Sequence, residues 1–358
     1  MKTRNFHTEF QLNGQSFHSI KEVKEFAENY SSELNQLISG WFSESDFLEI
    51  KTSGSTGKPK TIRLQKHHIT NSVKATTEYF DINPGSKALL CLPLTYVAGK
   101  LMVLRSLISG WKLQMVEPSS NPLQGLTYNF DFAAMVPLQL ENSISQLNQI
   151  KKLIVGGGKV SESIVEKIQK SECEVFETYG MTETITHIAV KRLNQFQYFP
   201  SHFEVLPNVT VFKDERDCLV INAPKISNNV IVTNDVVQLI SNNQFKWLGR
   251  IDNVINSGGI KLHPEEIEGK LKGILNQRFF VTSEKDERLG EKLMIVVETK
   301  EVNLVNQLIT KIKELEILTN FEKPRKIVLL EQFLETSSGK IRRSETLTQM
   351  THIFEGEM

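Results

Sequence analysis

The chain has 358 residues, more than one compact core usually holds, since single cores stop growing at roughly 250 to 300 residues, so two or three domains are expected. Lys plus Arg and Asp plus Glu both number 42, which excludes a general charge attraction to nucleic acid or to an anionic membrane and makes any charge-driven function local. The opening MKTRNFHTEFQLNG has no apolar run like a signal peptide, and the greasiest stretch, ALLCLPLTYVAG, is far short of the about 20 residues a spanning helix needs and contains Pro93. A soluble, cytoplasmic protein without membrane insertion is expected. Cys91, Cys173 and Cys218 are widely spaced, odd in number and without CxxC spacing, which argues against a disulfide framework and a thiolate zinc site.

Residues 20–40 place Ile20, Val23 and Phe26 at helical spacing up to Gly40 and predict one helix. HHITNSVKATTEYF reads as a helix stopped by Asn83-Pro84-Gly85, and KALLCLPL as a buried strand. The alternation continues with YVAGKLMVLRSLISG (helix), KLQMVEP and DFAAMVP (strands), LQLENSISQLNQI (helix), KKLIVGG (strand), SESIVEKIQKS (helix) and CEVFETYG (strand). This predicts a large layered α/β domain with a mostly parallel sheet, over residues 1–249. From about 203 the short runs FEVLPNVTVFK, CLVINAP, VIVTNDVVQLI and FKWLGR indicate a small β-rich subdomain within it. Residues 250–358 form a third texture. HPEEIEGKLKGI reads as a helix with Pro264 in its first turn, KLMIVVET as a strand, VNQLITKIKEL as a helix and KIVLLEQ as a strand, together a small α+β C-terminal domain.

Three polar loops carry candidate chemistry. KTSGSTGKPK, residues 51–60, has the makings of an anion cradle, with glycines for close backbone approach, hydroxyls to donate and lysines for charge. It is not a Walker A loop, because position 52 is Thr and Lys58 is followed by Pro59. Taken alone, it reads equally well as a solvated turn. ETYGMTET, 177–184, should lie at a strand's C-terminal end, where open α/β sheets bind ligands; Tyr179 offers a flat face, Thr182 a hydroxyl and Glu183 a hard oxygen donor suited to Mg²⁺. By itself it reads as a helix start with a carboxylate near the positive dipole end. TSSGKIRR, 336–343, reads by itself as a turn before a basic, disordered tail.

Together and in order, TSGSTGKPK, GGG at 156–158, YGMTE, Asp235, GRIDNVINSGGIKLHPEEIE at 249–268 and SGKIRR resemble the adenylate-forming superfamily of acyl- and aryl-CoA synthetases, luciferases and peptide-synthetase adenylation domains. The resemblance spans roughly residues 50–343. It implies that a carboxylate attacks the α-phosphate of ATP, releasing pyrophosphate and leaving an acyl-adenylate, from which the thiol of CoA displaces AMP; ATP, Mg²⁺ and CoA are the implied cofactors and cosubstrates. It also implies that the C-terminal domain is mobile, hinged near Asp252. On this resemblance Thr52, Ser53, Gly54, Ser55, Thr56, Gly57 and Lys58 hold the β,γ-phosphates, Gly156, Gly157 and Gly158 floor the adenine pocket, and Tyr179 stacks on the base. Thr182 contacts the α-phosphate, Glu183 holds Mg²⁺, Asp235 accepts the ribose hydroxyls although VTN precedes it where the family has Thr-Gly, and Arg250 reaches ribose or phosphate. Lys340 matches the catalytic lysine that neutralises charge in the adenylation transition state. Gly258, Gly259 and Lys261 line the pantetheine tunnel in a second domain orientation. His263, His67 and His68 receive no catalytic role.

Only 50 residues precede Lys51, where typical members carry far more, so the front is expected to be reduced. In this the chain is similar to the short o-succinylbenzoate-CoA ligases of menaquinone biosynthesis, and Tyr96 in LPLTYVAGKLMVLRSL stands where many relatives have a histidine. That acid has two carboxylates, of which only the aliphatic one is activated, so the other needs donors or a cation. Candidates are Lys100 and Arg105, whose alternative is an exposed helix face, and Thr184, Thr186 and His187; contact from Lys100 or His187 is expected. The competing readings are another aryl- or acyl-CoA ligase, an enzyme loading a carrier protein, and a non-catalytic nucleotide-binding relative. The expected partners are a small aromatic carboxylic acid, ATP and CoA, with no nucleic acid, and a homodimer as the oligomer to test.

Overall fold

The computed structural model describes residues 6–52, 60–195, 202–335, 341–349 and 352–358. Five parallel strands form the middle of a 13-stranded sheet, in the spatial order Lys112–Met115, Lys87–Leu90, Phe130–Met135, Ile150–Val155 and Glu174–Gly180. Their residues alternate between two separate cores, as the period of two dictates. Phe132, Ala134, Ile154 and Phe176 pack with the helices Lys66–Phe80 and Val97–Ser109 on one face. Leu89, Ala133, Leu153, Val155 and Val175 pack with Leu140 and with the helix Glu162–Ile168 on the other. Strands buried on both faces read as unbroken apolar runs, which is why KALL and KKLIV were legible.

Beyond Glu174–Gly180 the pairing turns antiparallel through His187–Arg192, and the β-rich stretch 203–250 continues the same sheet rather than starting a new one. A second, six-stranded sheet begins at Ile255–Ser257 and has its own core around Ile267, Ile295, Ile312 and Leu329. The chain is thus α/β, with an α+β unit following the large sheet, as expected.

Several local expectations need correction. The single helix over 20–40 is two, Ile20–Tyr30 and Ser32–Trp41. Ser31 ends the first and caps the second, its Oγ accepting from Leu34 N at 3.2 Å, and that cap breaks a periodicity that otherwise runs through. LQLENSISQLNQI is α-helical only over Pro137–Ser143 and continues as the 3₁₀ helix Ile144–Gln149. The disordered tail is replaced by the helix Arg343–Gln349 and a last strand, His352–Glu357, paired antiparallel with Lys326–Leu330. Either side of residues 53–59, which lie outside the described residues, two unforeseen strands pair antiparallel, Phe47–Thr52 against Lys60–Gln65, anchored through buried Leu48 and Ile50. All three cysteines are free and buried, and burial pushes the Cys91 and Cys173 thiols up to about 12. No described helix is long and apolar enough to cross a membrane.

Candidate active site

The C-terminal ends of the parallel strands open onto a cavity of about 750 Å³, where ligands of open α/β sheets bind. Ala134–Val136, Gly156, Gly157, Thr178 and Gly180 line it from the strand ends, and Val97, Leu101 and Arg105 from the helix Val97–Ser109. Two glycines are required there by contact. A Cβ on Gly156 would stand 2.6 Å from Thr178 Oγ1, a hydroxyl that donates to Val155 O at 3.1 Å. A Cβ on Gly180 would stand 2.3 Å from the backbone oxygen of Thr186.

The segment after Gly180 is tightly wound. Thr182–Thr184 is one 3₁₀ turn, in which Met181 N donates to Thr184 Oγ1 at 2.9 Å. Ile185 then takes φ +67° and ψ −53°, and Thr186 N donates to Thr184 O at 2.7 Å, closing a γ-turn of the strained hand on a β-branched residue. Such strain costs on the order of 1–3 kcal/mol and persists where surrounding contacts impose it; here Ile185 is buried. The turn leaves Glu183 exposed and sets Thr186 and His187 on the cavity wall.

Arg105 is the least expected feature. It is only 2% exposed, in a helix buried throughout residues 101–107, so for Arg105 the exposed-face alternative is excluded. Its Nη2 donates to Thr186 Oγ1 at 3.1 Å and lies 3.4 Å from His187 Nδ1, while among the described residues Nη1 meets only Met102 Sδ at 3.6 Å. No described carboxylate pairs with it, and no described residue lining the cavity is acidic. Burial alone pulls its pKa from the usual guanidinium range down to about 10, so it stays charged at neutral pH. His187 is buried too, and burial and then the adjacent guanidinium hold it well below the usual imidazole range.

The remaining expected residues fall into groups. Tyr96 and Thr182 line the same cavity as Gly156, Gly157 and His187; Gly158 and Glu183 are exposed next to it in sequence, and Lys100 is half-buried outside its lining. Tyr179 is not on the lining. Its ring packs against Phe203 and Phe245, and its hydroxyl donates to Asp235 Oδ2 at 2.6 Å, while Trp247 Nε1 donates to Oδ1 at 3.2 Å. Arg250 lies opposite Asp235 in register and donates to Asp252 at 2.9 Å. Gly258 and Gly259, at φ +59° and +82°, form the two-residue turn between Ile255–Ser257 and Ile260–Leu262, which demands positive φ at both. Lys261 lines a second cavity of about 500 Å³ with Arg216 and His263. Thr52 ends the hairpin's first strand; Ser53, Gly54, Ser55, Thr56, Gly57, Lys58 and Lys340 lie outside the described residues.

Sequence reasoning missed Thr76, which reaches His187 Nε2 at 3.3 Å from the helix Lys66–Phe80, and Gln139, whose amide donates to Cys91 O at 3.0 Å and Ser119 O at 2.9 Å and so fixes one cavity wall. Gln139 had a signal, as the third residue after Val136 at a helix start marked by Pro137. Thr76 had none. For a metal, no group of three or more His, Cys, Asp or Glu among the described residues is suitable. A single exposed carboxylate such as Glu183 suits Mg²⁺ shared with nucleotide phosphates, a mode that needs few protein ligands.

The AMP-binding enzyme family matches residues 43–214. An AMP-forming acyl-CoA synthetase/AMP-acid ligase II-like protein from Dyadobacter fermentans is 32% identical, with alignment over 91% of this chain and 98% of that one and a TM-score of 0.60. The chain belongs to the AMP-binding enzyme family. A 2-succinylbenzoate-CoA ligase of Lactococcus lactis is 23% identical over 83% of this chain and 69% of its own length. A D-alanine-D-alanyl carrier protein ligase of Bacillus cereus is also 23% identical, over 86% and 71%. The O-succinylbenzoate coenzyme A synthetase of Bacillus subtilis, solved with ATP and magnesium ion, shares the fold at a TM-score of 0.73 and 21% identity, over 84% of this chain and 69% of that one.

Proposed function

We propose that the chain is an AMP-forming acid–thiol ligase for a carboxylic acid that carries a second anionic group, with o-succinylbenzoate as the foremost candidate and CoA as the thiol. The observation that carries this is Arg105, a guanidinium buried on the cavity wall without a carboxylate partner among the described residues. Burying a charge is costly unless it is paired, so a site that keeps one unpaired is suited to an anionic guest. The same feature weighs against D-alanine, the acid named for the Bacillus cereus relative. Its ammonium would enter a cavity whose described lining offers a cation and no carboxylate.

In this reading Gly156, Gly157 and Gly158 make room for the adenine ring, with Tyr179 beside it, and Asp235 accepts the ribose hydroxyls. The Thr182 hydroxyl donates to the α-phosphate. Residues 52–58 grip the leaving pyrophosphate, and Lys340 bridges the attacking carboxylate and the α-phosphate, offsetting charge that builds there. Glu183 would hold Mg²⁺, which would supply positive charge against the phosphates when bound. The unit from Arg250 onward turns about Asp252, so that Lys340 serves adenylation and Gly258, Gly259 and Lys261 then face the pantetheine. The test is acid-dependent ATP–pyrophosphate exchange across o-succinylbenzoate, benzoate, acetate, a fatty acid and D-alanine, followed by thioester formation with CoA. A clear preference for the diacid supports the reading. Preference for D-alanine, or transfer to a carrier protein and not to CoA, contradicts it.

A further inference from the structure

We propose that His187 is a positioning residue, which aims the Arg105 guanidinium into the acid cavity from a seat fixed by Thr76. The hydrogen bonds impose an order. Thr76 Oγ1 donates to Ser72 O at 3.1 Å, so toward His187 it can only accept, and the 3.3 Å contact makes Nε2 the protonated nitrogen. Nδ1 is then an acceptor. It faces Arg105 Nη2 at 3.4 Å and Thr186 Oγ1 at 3.3 Å, and a guanidinium can only donate.

Arg105 is therefore held on one nitrogen by two neutral acceptors, Thr186 Oγ1 and His187 Nδ1. Neutral acceptors fix a guanidinium's direction without quenching its charge, whereas a carboxylate at either place would pair with it and remove the reason to bind an anion. Nη1, whose one acceptor among the described residues is the weakly accepting Met102 thioether, has donor capacity left for the guest. The Phe80 ring, 6.5 Å from the imidazole centroid, closes the seat on the side of the helix Lys66–Phe80. His187 then acts on the acid through Arg105 and is not itself the ligand.

The inference rests on the diacid reading, and the test separates the two. The full chain is assayed by AMP release with o-succinylbenzoate and with 4-oxo-4-phenylbutanoate, the same molecule without the ring carboxylate. His187→Leu, which keeps bulk and loses the acceptor, should raise KM for the diacid about tenfold, the scale of one net hydrogen bond. Its kcat, and both constants for the monoacid, should stay within about twofold. His187→Asn, which offers an acceptor near the Nδ1 position, should restore most of the loss. Added to Arg105→Met, His187→Leu should have no further effect on discrimination between the acids. Equal losses for both acids, or Asn performing no better than Leu, overturn the positioning role. A His187 effect that persists without Arg105 makes the imidazole a direct ligand and also overturns it. If Arg105→Met itself fails to discriminate the acids, the diacid reading falls first and this inference with it.

Discussion

Replacing Arg105 with methionine tests the site where the energetics are most exposed. Burial lowers the guanidinium pKa from its usual range to about 10, a shift that costs the folded protein roughly 3 kcal/mol for keeping the charge. Its contacts to Thr186 and His187 return a similar amount, since hydrogen bonds to charged groups contribute roughly 1.5–3 kcal/mol each. Methionine, of similar length and apolar, removes both sides of that balance, so the unliganded variant should unfold within a few degrees of the parent. Diacid binding should respond very differently. The cost of burying the cation is already met before the acid arrives, and breaking a buried ion pair by removing one partner costs about 3–5 kcal/mol, or a factor of at least 100. We expect KM for o-succinylbenzoate in coupled AMP release to rise by that factor, and KM for 4-oxo-4-phenylbutanoate to stay level or fall. An unchanged ratio between the two acids would refute the reasoning, as would a collapse in thermal stability, which would make Arg105 a structural cation.

Gly156→Val should raise KM for ATP sharply in pyrophosphate exchange, because even the first carbon of the new side chain meets Thr178 Oγ1 at 2.6 Å; an unchanged KM would remove Gly156 from the nucleotide site. Gly99→Ala should cost about 1–3 kcal/mol in chemical denaturation, since its Cβ would lie 2.3 Å from Pro93 O, a backbone atom that cannot step aside. The folded protein keeps His187 neutral, while the unfolded chain takes up a proton below about 6.5. Stability should therefore fall as pH drops below that value, by at most about 1.4 kcal/mol per pH unit from this group, and His187→Leu should flatten the slope. Lys340→Ala should suppress acid-dependent pyrophosphate exchange far more than thioester formation from preformed acyl-adenylate; equal losses would deny it the adenylation role.

The large sheet was legible because its parallel strands are buried on both faces and spell continuous apolar runs, as in Ala88-Leu89-Leu90. The strand pair Phe47–Thr52 and Lys60–Gln65 was not, because each strand turns only two apolar residues inward, buried Leu48 and Ile50 and half-buried Ile62 and Leu64, and these alternate with polar neighbours such as Glu49, Lys51 and Arg63. The strand Arg278–Asp286 escaped notice for the same reason: Phe280 and Val281 are buried, but SEKD follows. Ser31 could have been read as a cap, yet apolar periodicity on both sides of it hid the break. At the site, sequence offered Lys100 and Arg105 together on the helix Val97–Ser109 with their exposure open, and favoured Lys100 or His187 as the contact, because nothing in the sequence says that Arg105 is the cation turned inward. Thr76 could not be found, because it meets His187 only through tertiary packing across 111 positions.

The central claim is that this chain joins a two-anion acid to a thiol through AMP. Incubating the purified chain with ATP, Mg²⁺, CoA and o-succinylbenzoate, and following AMP, pyrophosphate and thioester together by chromatography, tests it most directly. The account predicts equal amounts of all three products and little turnover with 4-oxo-4-phenylbutanoate. Release of ADP, or AMP formation indifferent to the second carboxylate, would contradict it.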